Sequence, residues 1–302
     1  MSEARVLGDW GTSRLRLYRV SGGAVTGRLD GPGIGSVGAN AAAVLAERLE
    51  QWLCEGTLES VTLCGMAGAR GALVEAGYAP CPAGRTEWLQ SRSRLTVAGL
   101  PVAVLPGLSC RSGSGVPDVM RGEETQIFGA LSLHPELAQG EQVIALPGTH
   151  CKWVRLKNGR VEGFSTWPTG ELFALLSQQS TLTGPDTPGT GTFDEGFARG
   201  LDRSVQPVMG ALFEARAARM LDGKSREWSR GLLSGLLIGS ELNSLAAGDE
   251  EIVLIGEDSL VALYERALSA FGRNTRKVDA GNAVIAGLAL SHDAIRQAKD
   301  VA

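Results

Sequence analysis

The chain has 302 residues, with 29 Lys and Arg against 33 Asp and Glu, and a net charge of −4. That balance argues against a nucleic-acid partner, which would show as a basic excess or stripe. The longest apolar run, Leu232-Leu-Ser-Gly-Leu-Leu-Ile-Gly239, is far short of a membrane span, and Met1-Ser-Glu-Ala-Arg lacks the basic start and long apolar stretch of a signal peptide.

A cytoplasmic protein of two domains is therefore expected, since a chain of this length outgrows a single core. Five cysteines (Cys54, Cys64, Cys81, Cys110 and Cys151) form no CxxC pair and no Cys/His cluster at zinc spacing. They read as reduced, mostly buried thiols. His134, His150 and His292 are too dispersed to suggest a metal centre.

Arg5-Val-Leu-Gly leads into the turn Asp9-Trp-Gly-Thr-Ser13, and Leu15, Leu17 and Tyr18 follow in a second strand. Ser21-Gly-Gly23 turns into a third. Asn40 is placed to cap a helix carrying Val44, Leu45, Leu49, Trp52 and Leu53 at helical spacing. Ser60-Val-Thr-Leu-Cys-Gly65 and Pro101-Val-Ala-Val-Leu105 read as buried strands, and Glu123 to Leu133 as a helix. Its opening acids, Glu123 and Glu124, are favoured there by the helix dipole, although either could reach a metal. His134-Pro-Glu-Leu-Ala-Gln-Gly140 is a plausible boundary, dividing residues 1–140 from 141–302.

The second half restarts the pattern. Gln142-Val-Ile-Ala-Leu146 is a strand, Pro147-Gly-Thr-His a turn, and Cys151-Lys-Trp-Val-Arg-Leu156 a second strand, with a hairpin at Asn158-Gly159. Val6-Leu-Gly-Asp-Trp-Gly-Thr12 and Ile144-Ala-Leu-Pro-Gly-Thr149 match with one residue deleted. Two related domains are expected, each opening with an antiparallel meander and adding helices and parallel strands. Helices follow over residues 194–221, 228–245, 258–271 and 282–298, with a buried strand, Ile252-Val-Leu-Ile-Gly256.

The first turn carries the clearest chemistry. Gly11 lets the backbone approach a ligand, and the N–H groups with the Thr12 and Ser13 hydroxyls can cradle phosphate oxygens. Asp9, at a strand end, can hold Mg²⁺ through water. Ordinary hairpin residues would look similar, but the recurrence as Pro147-Gly148-Thr149 favours two turns clamping a polyphosphate across a cleft. Only the first, with its acid, would carry the metal. Lys152 either reaches a phosphate or lies on a solvated strand face. Gly256 ends a strand before a helix, where Asp258 serves equally well as a cap.

The DxGTS turn, the GT turn and the terminal strand–Gly–helix resemble the phosphate and adenosine motifs of the sugar kinase/hsp70/actin superfamily. Within it the chain resembles the 2-dehydro-3-deoxygalactonokinase family. The matching stretches are Asp9-Trp-Gly-Thr-Ser-Arg14, Gly65-Met-Ala-Gly-Ala-Arg70, Pro117-Asp-Val-Met-Arg-Gly-Glu-Glu-Thr-Gln126, Leu146-Pro-Gly-Thr-His-Cys-Lys-Trp153 and Thr169-Gly-Glu-Leu-Phe173. Ala69 and Ala72-Leu73 depart from the family pattern of a Ser and a Gly-Trp pair.

The resemblance implies an α/β fold of two ribonuclease-H-like domains, the duplicated actin-like ATPase fold, around a nucleotide cleft. It implies phosphorylation of 2-dehydro-3-deoxy-D-galactonate by ATP with Mg²⁺ and a small-molecule partner; a homodimer stays open. Asp118 is the candidate base, ahead of the second phosphate turn, with a helix N-cap as its other reading. The Gly65 loop would hold the sugar acid through Met66, Ala67 and Arg70, the last offering a fork to the carboxylate. Arg14, Arg111 and Trp167 are further substrate candidates. Two rivals stay open here: a kinase of another acid sugar, and a regulator that binds sugar or nucleotide without chemistry.

Overall fold

The computed structural model describes residues 4–245 and 250–300. It opens with the expected antiparallel meander, β1 (Ala4–Trp10), β2 (Arg14–Ser21) and β3 (Ala24–Pro32). A short helix α1 (Ile34–Val37) precedes α2 (Ala41–Glu55). Helix α2 buries Ala41, Leu45, Leu49 and Trp52, an amphipathic stripe facing the sheet. Asn40 precedes it without capping: at φ −82° and ψ 6° it lacks the extended backbone that aims a side-chain oxygen at the first turn.

Strand β4 (Leu58–Gly65) lies parallel to β1, as a strand returning through a helix does. Next come β5 (Tyr78–Pro80), α3 (Arg85–Gln90), β6 (Ser93–Val97), β7 (Leu100–Val104), β8 (Gly107–Arg111), β9 (Pro117–Met120) and α4 (Glu123–Leu133). The second meander is β10 (Glu141–Leu146), β11 (Cys151–Lys157) and β12 (Arg160–Trp167). Asn158 and Gly159 turn its hairpin at positive φ, 49° and 74°. Helices α5 (Thr169–Gln178), α6 (Phe193–Arg203), α7 (Val208–Ala211), α8 (Glu214–Leu221) and α9 (Arg226–Asn243) follow. The chain continues through β13 (Ile252–Gly256), α10 (Asp258–Ala270), β14 (Thr275–Asp279) and α11 (Ala280–Asp300). The helix expected over residues 194–221 is broken into three, because Pro207 has no N–H to continue it and instead starts α7.

One sheet runs β3-β2-β1-β4-β7-β6 and another β12-β11-β10-β13-β14. Five strands of each share one order: the meander reversed, then two added strands. The match between residues 6–12 and 144–149 is thus the start of a repeat in topology. A third sheet, β5-β8-β9, has no counterpart among the described residues of the second half. Its strands are only three to five residues long, too short to show alternation in the sequence.

The chain forms two compact units. One takes the residues up to Gln142, Val154–Ser165 and those from Val278; the other takes Val143–Trp153 and Thr166–Lys277. Trp10, Leu17, Leu49, Trp52 and Leu63 centre the first core, and Trp153, Phe197, Leu254 and Tyr264 the second. In the first unit α4 and α11 touch backbone to backbone. A Cβ on Gly129 would fall 1.8 Å from the Ala283 carbonyl oxygen, and one on Gly287 would fall 2.0 Å from that of Thr125. The small residues over 283–290 are there to permit that approach. Among the described residues, no helix is long and apolar enough to cross a membrane.

Candidate active site

Strand β1 ends on Asp9 and Trp10, and the exposed turn of Gly11, Thr12 and Ser13 follows. The Gly11 N–H donates to the Arg14 carbonyl at 2.8 Å, closing the turn. The Gly11 and Thr12 carbonyls accept from the Ile34 and Gly35 N–H groups at 3.0 and 2.9 Å, so α1 braces it from behind. Both turn hydroxyls lie on exposed residues, and Arg14 is exposed beside them. Asp9 is mostly buried; its Oδ2 accepts from Arg16 Nη1 at 3.1 Å, and Cys64 Sγ lies 3.9 Å from its Oδ1. Burial pushes the Asp9 carboxyl above its ordinary range, and Arg16 pulls it back.

Parallel pairing of β1 with β4 sets Asp9 opposite Cys64 and Trp10 opposite Gly65. The loop that leaves β4 therefore starts beside the turn. Gly65 sits at φ 76°, and a Cβ there would lie 2.8 Å from the Trp10 carbonyl oxygen. Met66 and Ala67 form a single 3₁₀ turn, Met66 half-buried and Ala67 buried. Arg70 is exposed and has no hydrogen-bond or ion-pair partner among the described residues.

The turn from β9 into α4 reaches the same place, for a Cβ on Gly122 would lie 3.5 Å from the Gly65 Cα. Asp118 stands on β9 opposite Cys110, half-buried, its Oδ1 accepting from the Val119 N–H at 2.7 Å. Arg111 is at the far end of the same hairpin, donating to the Gly115 carbonyl at 2.9 Å.

Two residues here take on settings that the sequence does not show. Glu124 is fully buried, both carboxylate oxygens accepting from the Gly122 N–H at 2.9 and 2.7 Å. Burial, with Glu123 adjacent, pushes its pKa up to about 8. Arg121 stacks over the Tyr78 ring at 4.3 Å and donates to the Ala76 carbonyl at 2.6 Å, which pins the loop after Arg70. The double acid at a helix start was the visible signal for Glu124; nothing local marks Arg121.

In the second unit, Gly148 and Thr149 turn between β10 and β11, Thr149 exposed. The first turn of α5 packs onto them: the Glu171 N–H donates to the Thr149 carbonyl at 2.9 Å, and a Cβ on Gly170 would fall 2.4 Å from the Gly148 carbonyl oxygen. His150 Nε2 meets Glu171 Oε2 at 2.8 Å. Gly256, ending β13, comes to the same turn, where a Cβ would lie 3.1 Å from the Pro147 carbonyl oxygen. Beside them opens a cavity of about 230 Å³ lined by Gly148, Thr169, Phe173, Leu237, Leu263 and Tyr264, among others. Lys152 is buried, donating to Thr166 Oγ1 at 2.8 Å, so its strand face is not solvated. Trp167 is half-buried against the core, its Nε1 without a partner among the described residues.

The family model described as 2-keto-3-deoxy-galactonokinase matches residues 9–290. The chain belongs to the 2-keto-3-deoxy-galactonokinase family. It is 36% identical to "Probable 2-dehydro-3-deoxygalactonokinase DgoK1" of Rhizobium meliloti (strain 1021), over 95% of this chain and 96% of that one. It is 35% identical to the 2-dehydro-3-deoxygalactonokinase of Escherichia coli (strain K12), over 93% and 94%. A solved Sinorhizobium meliloti protein named for the same kinase superposes with a TM-score of 0.84 at 36% identity, over 97% and 99% of the two chains. At fold level only, the activator of 2-hydroxyisocaproyl-CoA dehydratase from Clostridium difficile superposes with a TM-score of 0.51 at 11% identity, over 99% and 98%. The galactonokinase family is one of sugar kinases, and the expected duplicated actin-like fold is the one observed.

Proposed function

We propose that this protein transfers the terminal phosphoryl group of ATP to the 6-hydroxyl of 2-dehydro-3-deoxy-D-galactonate, giving the 6-phosphate and ADP in the cytoplasm. The carrying observation is the β1–β4 register in a chain of the galactonokinase family. It sets the Asp9–Ser13 turn, suited to phosphate, beside the Gly65–Arg70 loop, suited to a sugar acid.

Residues 1–140 supply the sugar-acid site in this reading, and residues 141–302 the nucleotide site. Arg70, exposed and unpaired among the described residues, takes the substrate carboxylate through its planar fork, with Met66 and Ala67 shaping the loop. Arg14, Arg111 and Trp167 are secondary contacts. Gly148, Thr149 and Gly256 receive the nucleotide, and the apolar cavity beside them takes its base. Lys152 adds a buried positive charge three residues past Thr149.

The first turn fits a Mg²⁺ ion that draws most of its ligands from phosphate and water. Asp9 offers one carboxylate, and Gly65, with no side chain to fill the space, lies beside its Oδ1. Bound there, the ion would neutralise charge on the transferring phosphate. Thr12 and Ser13 hydrogen-bond phosphate oxygens, and Arg16 holds the Asp9 carboxylate in place. Asp118 accepts the proton of the substrate hydroxyl. Its strand ends at Met120, two residues before Gly122, which abuts Gly65, so the Asp118 Cα stands at most about 14 Å from the Gly122 Cα.

An assay of ADP release over a panel of 2-keto-3-deoxy sugar acids tests the reading. Turnover is expected with the galacto epimer; no turnover with any of the panel supports a silent sugar- or nucleotide-binding regulator instead.

A further inference from the structure

Helix α9 carries one acid, Glu241, among buried residues that are otherwise apolar or serine. Glu241 is fully buried, four residues after Leu237 and one before Leu242, both buried. A carboxylate in such a place is costly unless its partners repay the lost hydration. Glu241 has three. Trp153 Nε1 donates to Oε1, Thr169 Oγ1 donates to Oε2, and the Tyr264 hydroxyl donates to Oε2 at 3.0 Å.

The donors come from three elements. Trp153 belongs to β11 and the core behind it. Thr169 is the first residue of α5, directly before Gly170, which packs on the Gly148 carbonyl. Tyr264 lies on α10, the helix that follows the Gly256 turn. Thr169 and Tyr264 also line the 230 Å³ cavity. One carboxylate therefore ties together the two helices that flank the Gly148-Thr149 turn.

We infer that Glu241 is a positioning residue of the nucleotide site, setting α5 and α10 at the spacing that the nucleotide requires. This rests on the reading that the nucleotide occupies the second unit. The role needs hydrogen bonds rather than charge. In Glu241→Gln the amide oxygen can still accept from Trp153, and the NH₂ can donate to the Thr169 and Tyr264 hydroxyls, which act as acceptors too.

Steady-state kinetics with ATP and the sugar acid, together with thermal melts, separate positioning from plain stabilisation. Thr169→Val and Tyr264→Phe each remove one hydrogen bond on the site side and keep shape. Each should raise the KM for ATP about tenfold while the sugar-acid KM stays within about twofold. Trp153→Phe removes the bond on the core side and should lower Tm with the ATP KM within about twofold. Glu241→Gln should keep the ATP KM within about threefold of the parent. If Thr169→Val and Tyr264→Phe lower Tm as Trp153→Phe does and leave the ATP KM unchanged, Glu241 is structural and the proposal fails. Leu263→Trp, which fills the cavity, is the control. An unchanged ATP KM in that variant overturns the nucleotide reading, and the proposal with it. A raised ATP KM there beside an unchanged one in Thr169→Val overturns the proposal alone.

Discussion

Arg16 reaches across the β1–β2 pair to hold Asp9, Nη1 to Oδ2 at 3.1 Å, directly opposite it in the antiparallel register. The pair leaves Oδ1 turned toward Gly65 and Cys64. A carboxylate oriented in this way can serve a metal-bound phosphate without being consumed by its own ion pair.

Asp9→Ala should therefore separate metal chemistry from nucleotide affinity. Turnover with Mg²⁺ is expected to fall by about 100-fold or more, while nucleotide binding measured without Mg²⁺ changes by less than about threefold. Titration calorimetry with ADP in EDTA, beside a coupled assay, measures both. Equal losses would mean that Asp9 only supports the turn.

Much of this architecture is legible in the sequence because its signals are local. Gly22-Gly23 and Asn158-Gly159 mark the two hairpins, and both pairs adopt the positive φ that those residues tolerate. The glycine-threonine turns announce themselves twice. What the sequence hides depends on tertiary neighbours. Asn40 reads as a cap, yet a 3₁₀ turn ahead of α2 moves its backbone out of cap geometry. Glu124 reads as a dipole-favoured helix start, but it folds fully buried, accepting from the Gly122 N–H and the Thr125 hydroxyl. Glu241 could have been found by counting, since it falls on the buried stripe of α9; only its partners explain an acid there. Arg121 is anchored by the carbonyls of Ala76 and Gly77, a contact no spacing rule reveals.

Glu124 makes stability depend on pH. Its pKa is raised from an ordinary 4.5 to about 8 by burial, so the folded state prefers the neutral acid. The stabilisation is complete below the unfolded pKa and is lost as pH rises through the folded one. Glu124→Gln mimics the neutral acid and should escape that loss. Melting curves from pH 4 to 9 are expected to show the variant gaining on the parent by several degrees between about pH 4.5 and 8, then running parallel. A Tm difference independent of pH would show that Glu124 stays ionised on folding.

Asp118→Asn keeps the shape and the acceptor oxygen that meets the Val119 N–H, but removes the proton acceptor. The kcat should fall by about 100-fold or more with both KM values within about threefold. Near-normal turnover would return Asp118 to a role in the β8–β9 hairpin.

The carboxylate of the substrate is what separates a sugar acid from a neutral sugar, and Arg70 is the cation the Gly65 loop offers for it. Unlike Arg121, which is committed to Tyr78 and two carbonyls, Arg70 is exposed and has no partner to give up among the described residues. Binding a carboxylate would thus gain a bidentate pair without breaking an existing one. Arg70→Lys keeps the charge and loses the planar fork, so the sugar-acid KM should rise about tenfold while the ATP KM stays within about twofold. Arg70→Ala should raise it further. Steady-state kinetics varying each substrate in turn measure the split. An unchanged sugar-acid KM in both variants would free Arg70 from the role and pass it to Arg14, the other exposed cation beside the first turn.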